Sequence, residues 1–147
     1  MAKQKKKSQI TTKCPRCGQP GPETFWYMRE RYLFDVDYAR KLVGNGRKAV
    51  ELDSRDARFC VKTSELDECH VPHVDPSIPG IVSHIWFCDD DNKIVHGHVL
   101  IDGHHRAARC LQLRKPFFIY LLSEEESRSI LLRSPEITKA NSRRDSA

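Results

Sequence analysis

The densest group of chemistry-bearing residues is Asp102-Gly103-His104-His105-Arg106. A strand-like run ends at this glycine, and a helical pattern begins at once. The first N–H groups of such a helix have no intrahelical partner. The helix dipole makes the same end favourable for negative charge. Gly103 has no Cβ, so a ligand can approach its backbone closely. His104, His105 and Arg106 add up to three cationic or donor side chains in the first turn. Cations there oppose the dipole and cost stability, and an anion among them would offset that cost. The pattern therefore points to a phosphate site formed by Gly103, His104, His105 and Arg106. The plainer alternative is a helix start with solvated His and Arg.

The second group is Cys14-Pro15-Arg16-Cys17-Gly18, which has the C-P-x-C-G pattern of a zinc knuckle. One turn brings two thiolates to one side of a tetrahedral ion. No second C-x-x-C follows. Cys69, His70 and His73 offer the missing ligands, and Cys69-x-x-x-His73 has usable spacing. The expected set is Cys14, Cys17, Cys69 and His73 around a structural zinc. The alternative is a reduced turn without metal. His96 and His98 share one strand face, where they either bind metal or make the face polar. Cys88 and Cys110 read as small core residues.

These residues need elements to hold them. Asp35 is a candidate N-cap for a helix with Val36, Ala39, Leu42 and Val43 at helical spacing and Gly44-Asn45-Gly46 as its stop. Phe25 to Tyr32 is aromatic without a clear period. Short strands fit Ala49–Leu52 and Arg58–Val61. Proline and glycine make Val71 to Gly80 a loop. Ile81 to Cys88 and Lys93 to Ile101 flank the turn Asp89-Asp90-Asp91-Asn92 and predict a hairpin. In its second strand Val95, Gly97, Val99 and Ile101 face one way, His96 and His98 the other. The motif helix runs from about His104 to Leu113, with Ala107, Cys110 and Leu111 toward a sheet. A buried strand follows over Phe117–Leu122. Ser123 and Glu126 have capping-box spacing for a last helix ending near Arg133. The fold class is α/β (α+β), a small mixed sheet with a strand-turn-helix phosphate site. The division is a basic, disordered tail over 1–13, a zinc-knuckle and helical extension over 14–58, the main domain over 59–133 and a disordered tail over 134–147.

Asp102-Gly103-His104-His105-Arg106-Ala107-Ala108 resembles the Gly-x-x-Arg signature of the ParB/sulfiredoxin-like superfamily. The Asp-Gly-His-His-Arg string is similar to that of its free serine kinases. Val61-Lys62-Thr63-Ser64-Glu65-Leu66 resembles the family's opening strand and turn, and the hairpin, motif helix and closing strand come in its order. The resemblance covers less than half of the chain. Sulfiredoxins place a reactive cysteine where His104 stands, so that chemistry is not expected. ParB proteins carry Glu-Arg-Arg in place of His104-His105-Arg106, and a helix-turn-helix domain for which the residues after Ser123 are too few. No metal-carboxylate cluster for a nuclease stands out. The resemblance implies a nucleotide, ATP or CTP, with magnesium beside its phosphates. In kinase-like members a carboxylate activates the acceptor hydroxyl. Asp102 and Asp75 are the candidates, with His105 as a further catalytic candidate. Otherwise Asp75 is a turn residue before Pro76.

The chain of 147 residues suits one domain with a modest core. No apolar run approaches the ~20 residues needed to span a bilayer. The lysine-rich start has no apolar stretch behind it, so no secretory signal is expected. The expected location is cytoplasmic, with reduced thiols and no membrane partner. Residues 1–17 hold Lys3, Lys5, Lys6, Lys7, Lys13 and Arg16 and no acid; of the net charge of +5, the remainder therefore carries −1. Two function classes follow. One is a nucleotide- or phosphate-binding protein, with ATP-dependent phosphotransfer to a small hydroxyl compound as its enzymatic form. The other is a non-enzymatic nucleic-acid-binding or adaptor protein that uses the knuckle and makes weak polyanion contacts through the lysine tail.

Overall fold

The computed structural model describes Cys14, Cys17 and residues 23–135. In chain order, β1 (Thr24–Tyr27) and β2 (Tyr32–Asp35) lead into α1 (Val36–Val43), and β3 (Val50–Leu52) leads into α2 (Ser54–Lys62). A 3-10 turn over Val71–His73 and a loop reach β4 (Gly80–Cys88) and β5 (Ile94–Asp102). Then come α3 (His104–Leu113), β6 (Phe117–Leu121), α4 (Glu124–Ser129) and β7 (Leu131–Arg133).

The β4–β5 hairpin is the centre of the fold, and its turn explains its register. The Asp89 carboxylate accepts the N–H groups of Asp91 and Lys93, each at 2.9 Å, and Asn92 takes the left-handed conformation that closes the turn. The larger sheet has the order β3-β6-β4-β5, with β6 parallel to β4 and the other neighbours antiparallel. The smaller sheet is β1-β2-β7, antiparallel throughout. Alternation along the hairpin gives each face its own core. Ile81, Ile85, Val99 and Ile101 pack with Tyr32, Phe34, Ala39 and Val43 on one side. Val82 and Leu100 pack with Ala107, Cys110, Phe117 and Ile119 on the other. The fold is a mixed α+β arrangement, as its sequence pattern implies.

The Asp35 cap is in place, its carboxylate accepting Tyr38 N–H at 3.0 Å. So is the reciprocal Ser123–Glu126 capping box. Other expectations change. The Phe25–Tyr32 stretch, whose sequence shows no clear period, supplies all but the first residue of β1 and the first residue of β2. Arg58–Val61 is helical, because Asp53 caps α2 by accepting Arg55 N–H at 2.8 Å. Val61 and Lys62 therefore close a helix instead of opening a strand. A division at 58/59 falls inside α2, and β3 before it already pairs with β6 in the larger sheet. The last helix ends at Ser129, and β7 takes the following residues to the edge of β2. The proposed tails lie outside the described residues, apart from Ser134 and Pro135. Among the described residues no helix is long and apolar enough to cross a membrane.

Candidate metal centre and adjoining cleft

Two short turns, far apart in sequence, bring four soft or borderline donors together. Cys14, Cys17, His70 and His73 have ligand atoms that all lie within 4.8 Å of one another. His70 Nδ1 is 3.4 Å from both thiol sulfurs, and His73 Nδ1 is 3.1 Å from Cys17 Sγ. Around a tetrahedral zinc, bond lengths near 2.3 Å to sulfur and 2.0–2.1 Å to nitrogen place S and N about 3.5 Å apart. The donors already stand at nearly that spacing. The 3-10 turn sets the two histidines, with Val71 buried beneath it and Pro72 in its first turn. Cys14 is buried, while Cys17 and His73 are exposed. Desolvation and the adjacent Cys14 sulfur push the Cys17 thiol up. A cation among the donors would relieve that pressure, because thiolate is the ligand form. The donor set can thus hold a metal ion such as zinc. His70, and not Cys69, completes the four. Cys69 is exposed and its thiol, likewise raised, interacts with Cys14 from outside the group.

The Asp102–Arg106 segment does not converge on one point. Gly103 has φ +106° and caps α3, and a Cβ there would lie 2.9 Å from Gly80 Cα. Its missing side chain thus admits the start of β4, where the sequence suggested room for a ligand. His104 stacks on Phe25 with ring centroids 5.2 Å apart. His105 turns the other way: its Nε2 accepts Asp67 N–H at 3.1 Å, and its ring meets the edge of His70 at 5.1 Å. His105 therefore ties the motif helix to the metal centre. Arg106 donates to the Ile78 and Pro79 carbonyls at 3.2 and 2.7 Å, fixing the loop that leads into β4.

Asp102 is the buried partner of two arginines. Arg40 Nε reaches Oδ2 at 3.0 Å, Arg40 Nη2 reaches Oδ1 at 2.9 Å, and Arg106 Nη2 also reaches Oδ1 at 2.9 Å. Burial alone would raise Asp102, but the Arg40 hydrogen bond and the two guanidinium charges outweigh it and hold the carboxyl below its usual range. Arg40 is raised in turn, chiefly by its hydrogen bond to Asp102, and also pairs with Glu23 at 2.7 Å. Part of the negative charge that the first turn of α3 calls for is therefore the chain's own. An ionised carboxylate held by two cations makes a poor proton acceptor, so Asp102 reads as a positioning residue.

These side chains line a cleft of about 460 Å³ between α1, the 74–79 loop and α3. Arg40, Arg106, Asp102 and Asp75 supply its polar wall; Val43, Ile78, Ile81 and Tyr120 supply much of the rest. Among the described residues Arg40 Nη1 and Arg106 Nε make no hydrogen bond. Asp75 accepts Ser77 Oγ–H at 2.6 Å and Ser77 N–H at 2.9 Å, which lower its pKa. Gly103, His104 and His105 do not line the cleft. Arg40 and Tyr120 do, and neither belongs to a local motif that reading along the chain could flag. His70 was visible as one of several neighbouring donors, but only the 3-10 turn selects it over Cys69. Comparison of the chain with protein-family models, with curated proteins and with solved structures returned no match.

Proposed function

We propose that this chain binds a phosphate compound, a nucleotide by class, in the cleft between α3 and the 74–79 loop, and that zinc at Cys14, Cys17, His70 and His73 braces the approach to it. One observation carries the reading: two arginines line a partly apolar cleft beside a fixed Asp102, and among the described residues Arg40 Nη1 and Arg106 Nε have no hydrogen-bond partner. Guanidinium is the natural partner of phosphate oxygens, and the apolar wall with Tyr120 suits a flat base. The hairpin, motif helix and closing strand follow one another in the order that the ParB/sulfiredoxin-like resemblance implies, while its opening strand at Val61 is instead the end of α2; ATP or CTP with magnesium are the ligands the resemblance implies. In the phosphotransfer form of the proposal, an acceptor hydroxyl attacks the terminal phosphorus of ATP, its proton passes to Asp75, whose hydrogen bonds from Ser77 engage Oδ1 alone whereas both Asp102 oxygens are held by guanidiniums, and ADP leaves. Asp102 is unsuited to that role, and His105 serves the metal centre.

The test is thermal shift with ATP, CTP and ADP, each with and without magnesium. Arg40→Ala and Arg106→Ala should reduce the ligand-induced shift measured against each variant's own melt. One lost charge-assisted contact is worth ~1.5–3 kcal/mol, or about tenfold or more in affinity. No shift with any nucleotide at millimolar concentration sinks the reading. The donor cluster favours the adaptor reading as runner-up. It gains if nucleotides fail while DNA or RNA binding persists, at unchanged salt sensitivity, in a chain beginning at Thr12.

A further inference from the structure

The hairpin face that packs on α3 through Val82 and Leu100 carries, further toward the 89–92 turn, a second donor cluster that neither the cleft nor the knuckle uses. His84 on β4 stands opposite His98 on β5, and Trp86 stands opposite His96. Residues two apart on a strand share a face, so this register places three imidazoles and one indole in a single patch. One ring nitrogen from each of His84, His96 and His98 lies within 4.8 Å of the others. His84 Nδ1 and His96 Nε2 are 2.7 Å apart. The ring centroids are separated by 4.8, 4.6 and 5.2 Å.

We propose that His84, His96 and His98 form a three-imidazole site for a borderline divalent transition-metal ion, such as zinc, nickel or copper(II), with its remaining coordination positions open to solvent. Neutral imidazole is the ligand form. Metal–nitrogen bonds of 2.0–2.1 Å in tetrahedral geometry need nitrogens about 3.3 Å apart. The closest pair must open slightly, which exposed His96 can do by side-chain rotation. Trp86 lies nearly parallel to His96 at 5.4 Å and to His84 at 6.2 Å, and Arg128 covers the indole at 4.2 Å. The rings are thereby held upright and together. The charge of Glu124, at the start of α4, acts on His84 and favours a cation there. Three protein ligands with an open position suit exchangeable metal better than a closed structural site.

Trp86 is a built-in reporter, because nickel(II) beside its stacked histidines should quench it. The full chain has two tryptophans, so Trp26→Phe isolates the signal. Titration with nickel(II) should give saturable quenching near one equivalent. His96→Gln with His98→Gln should weaken it by about tenfold or more, whereas Cys14→Ser with Cys17→Ser should leave it in place. His84→Gln alone provides a second variant, and cobalt(II) added to the Cys14→Ser, Cys17→Ser variant, whose histidine patch is intact, should give ligand-field bands without a thiolate charge-transfer band. The proposal does not depend on the cleft reading. Absence of saturable quenching overturns it, as does a smaller loss in the histidine variants or a cobalt spectrum in which all bound metal sits on thiolate.

Discussion

Asp102 holds two side chains from different elements, Arg40 from α1 and Arg106 from α3, and so joins the N-terminal layer to the motif helix. Asp102→Asn keeps the shape but takes the carboxylate from Arg106 and leaves Arg40 with Glu23 alone. Because Arg40 is 43% exposed, the loss should be about 1–3 kcal/mol rather than the full cost of breaking a buried pair. The sign of the pH dependence follows from the lowered carboxyl. Stability from Asp102 is fully present above its unfolded pKa, near 3.9, and is lost as pH falls through the folded one. Glu126, held to about 2 chiefly by its hydrogen bond with Arg47, adds a second contribution lost between about 4.5 and 2. Urea unfolding of both proteins from pH 7 to pH 2.5 measures this. Wild type should lose its advantage over the Asn variant in the acid range. A difference constant with pH would mean that the carboxylate charge does not stabilise the fold.

At the scale of elements, the corner where β5 passes into α3 is held by close backbone contact. A Cβ at Gly80 would meet the Asp102 carbonyl at 2.6 Å and Phe117 Cζ at 2.8 Å. Gly80→Ala should therefore cost about 1–3 kcal/mol by overpacking, and Gly103→Ala a similar amount through its positive φ. Chemical denaturation should show both losses, while Gly46→Ala, with nothing near its Cβ, pays only for its positive φ. Equal melting of the Gly80→Ala and wild-type proteins would contradict the packing. This corner, the hairpin and both capped helices were readable because their signals are local: alternation, an Asp-rich turn, and caps at fixed offsets. Elements that depend on distant chain were not. β7 is only three residues long and exists because β2, about a hundred residues earlier, offers an edge. Arg58–Val61 reads as a strand by residue type, yet the Asp53 cap and packing of α2 against α3 make it helix. The motif is legible in the sequence; the divergence of its side chains is not. Spacing tells which residues share a turn; only the neighbours decide that His104 goes to Phe25, His105 to His70 and Arg106 to the 78–79 carbonyls.

At the scale of the whole molecule, Cys14 and Cys17 meet the 70–73 turn across more than fifty residues through the side chains of His70 and His73. A bound metal would act there as a crosslink. It would restrict the unfolded chain and replace thiol crowding with coordinate bonds. The same loop runs on through Val74 and Asp75 into the cleft wall, and His105 links it to α3. Zinc should therefore stabilise the fold and order the cleft together. Elemental analysis of protein purified without chelator should find about one zinc per chain at the knuckle, lost in Cys14→Ser with Cys17→Ser and retained in Cys69→Ser. That last variant separates the geometry found here from the spacing-based expectation, which would have Cys69 as a ligand. Chelation should lower the melting temperature and weaken the nucleotide-induced shift in parallel, because one loop serves both. If Cys69→Ser removes the zinc, the ligand set is wrong. If chelation lowers the melt but spares the nucleotide shift, the metal supports the N-terminal segment alone, and the cleft is ordered by the Arg106 bonds to Ile78 and Pro79.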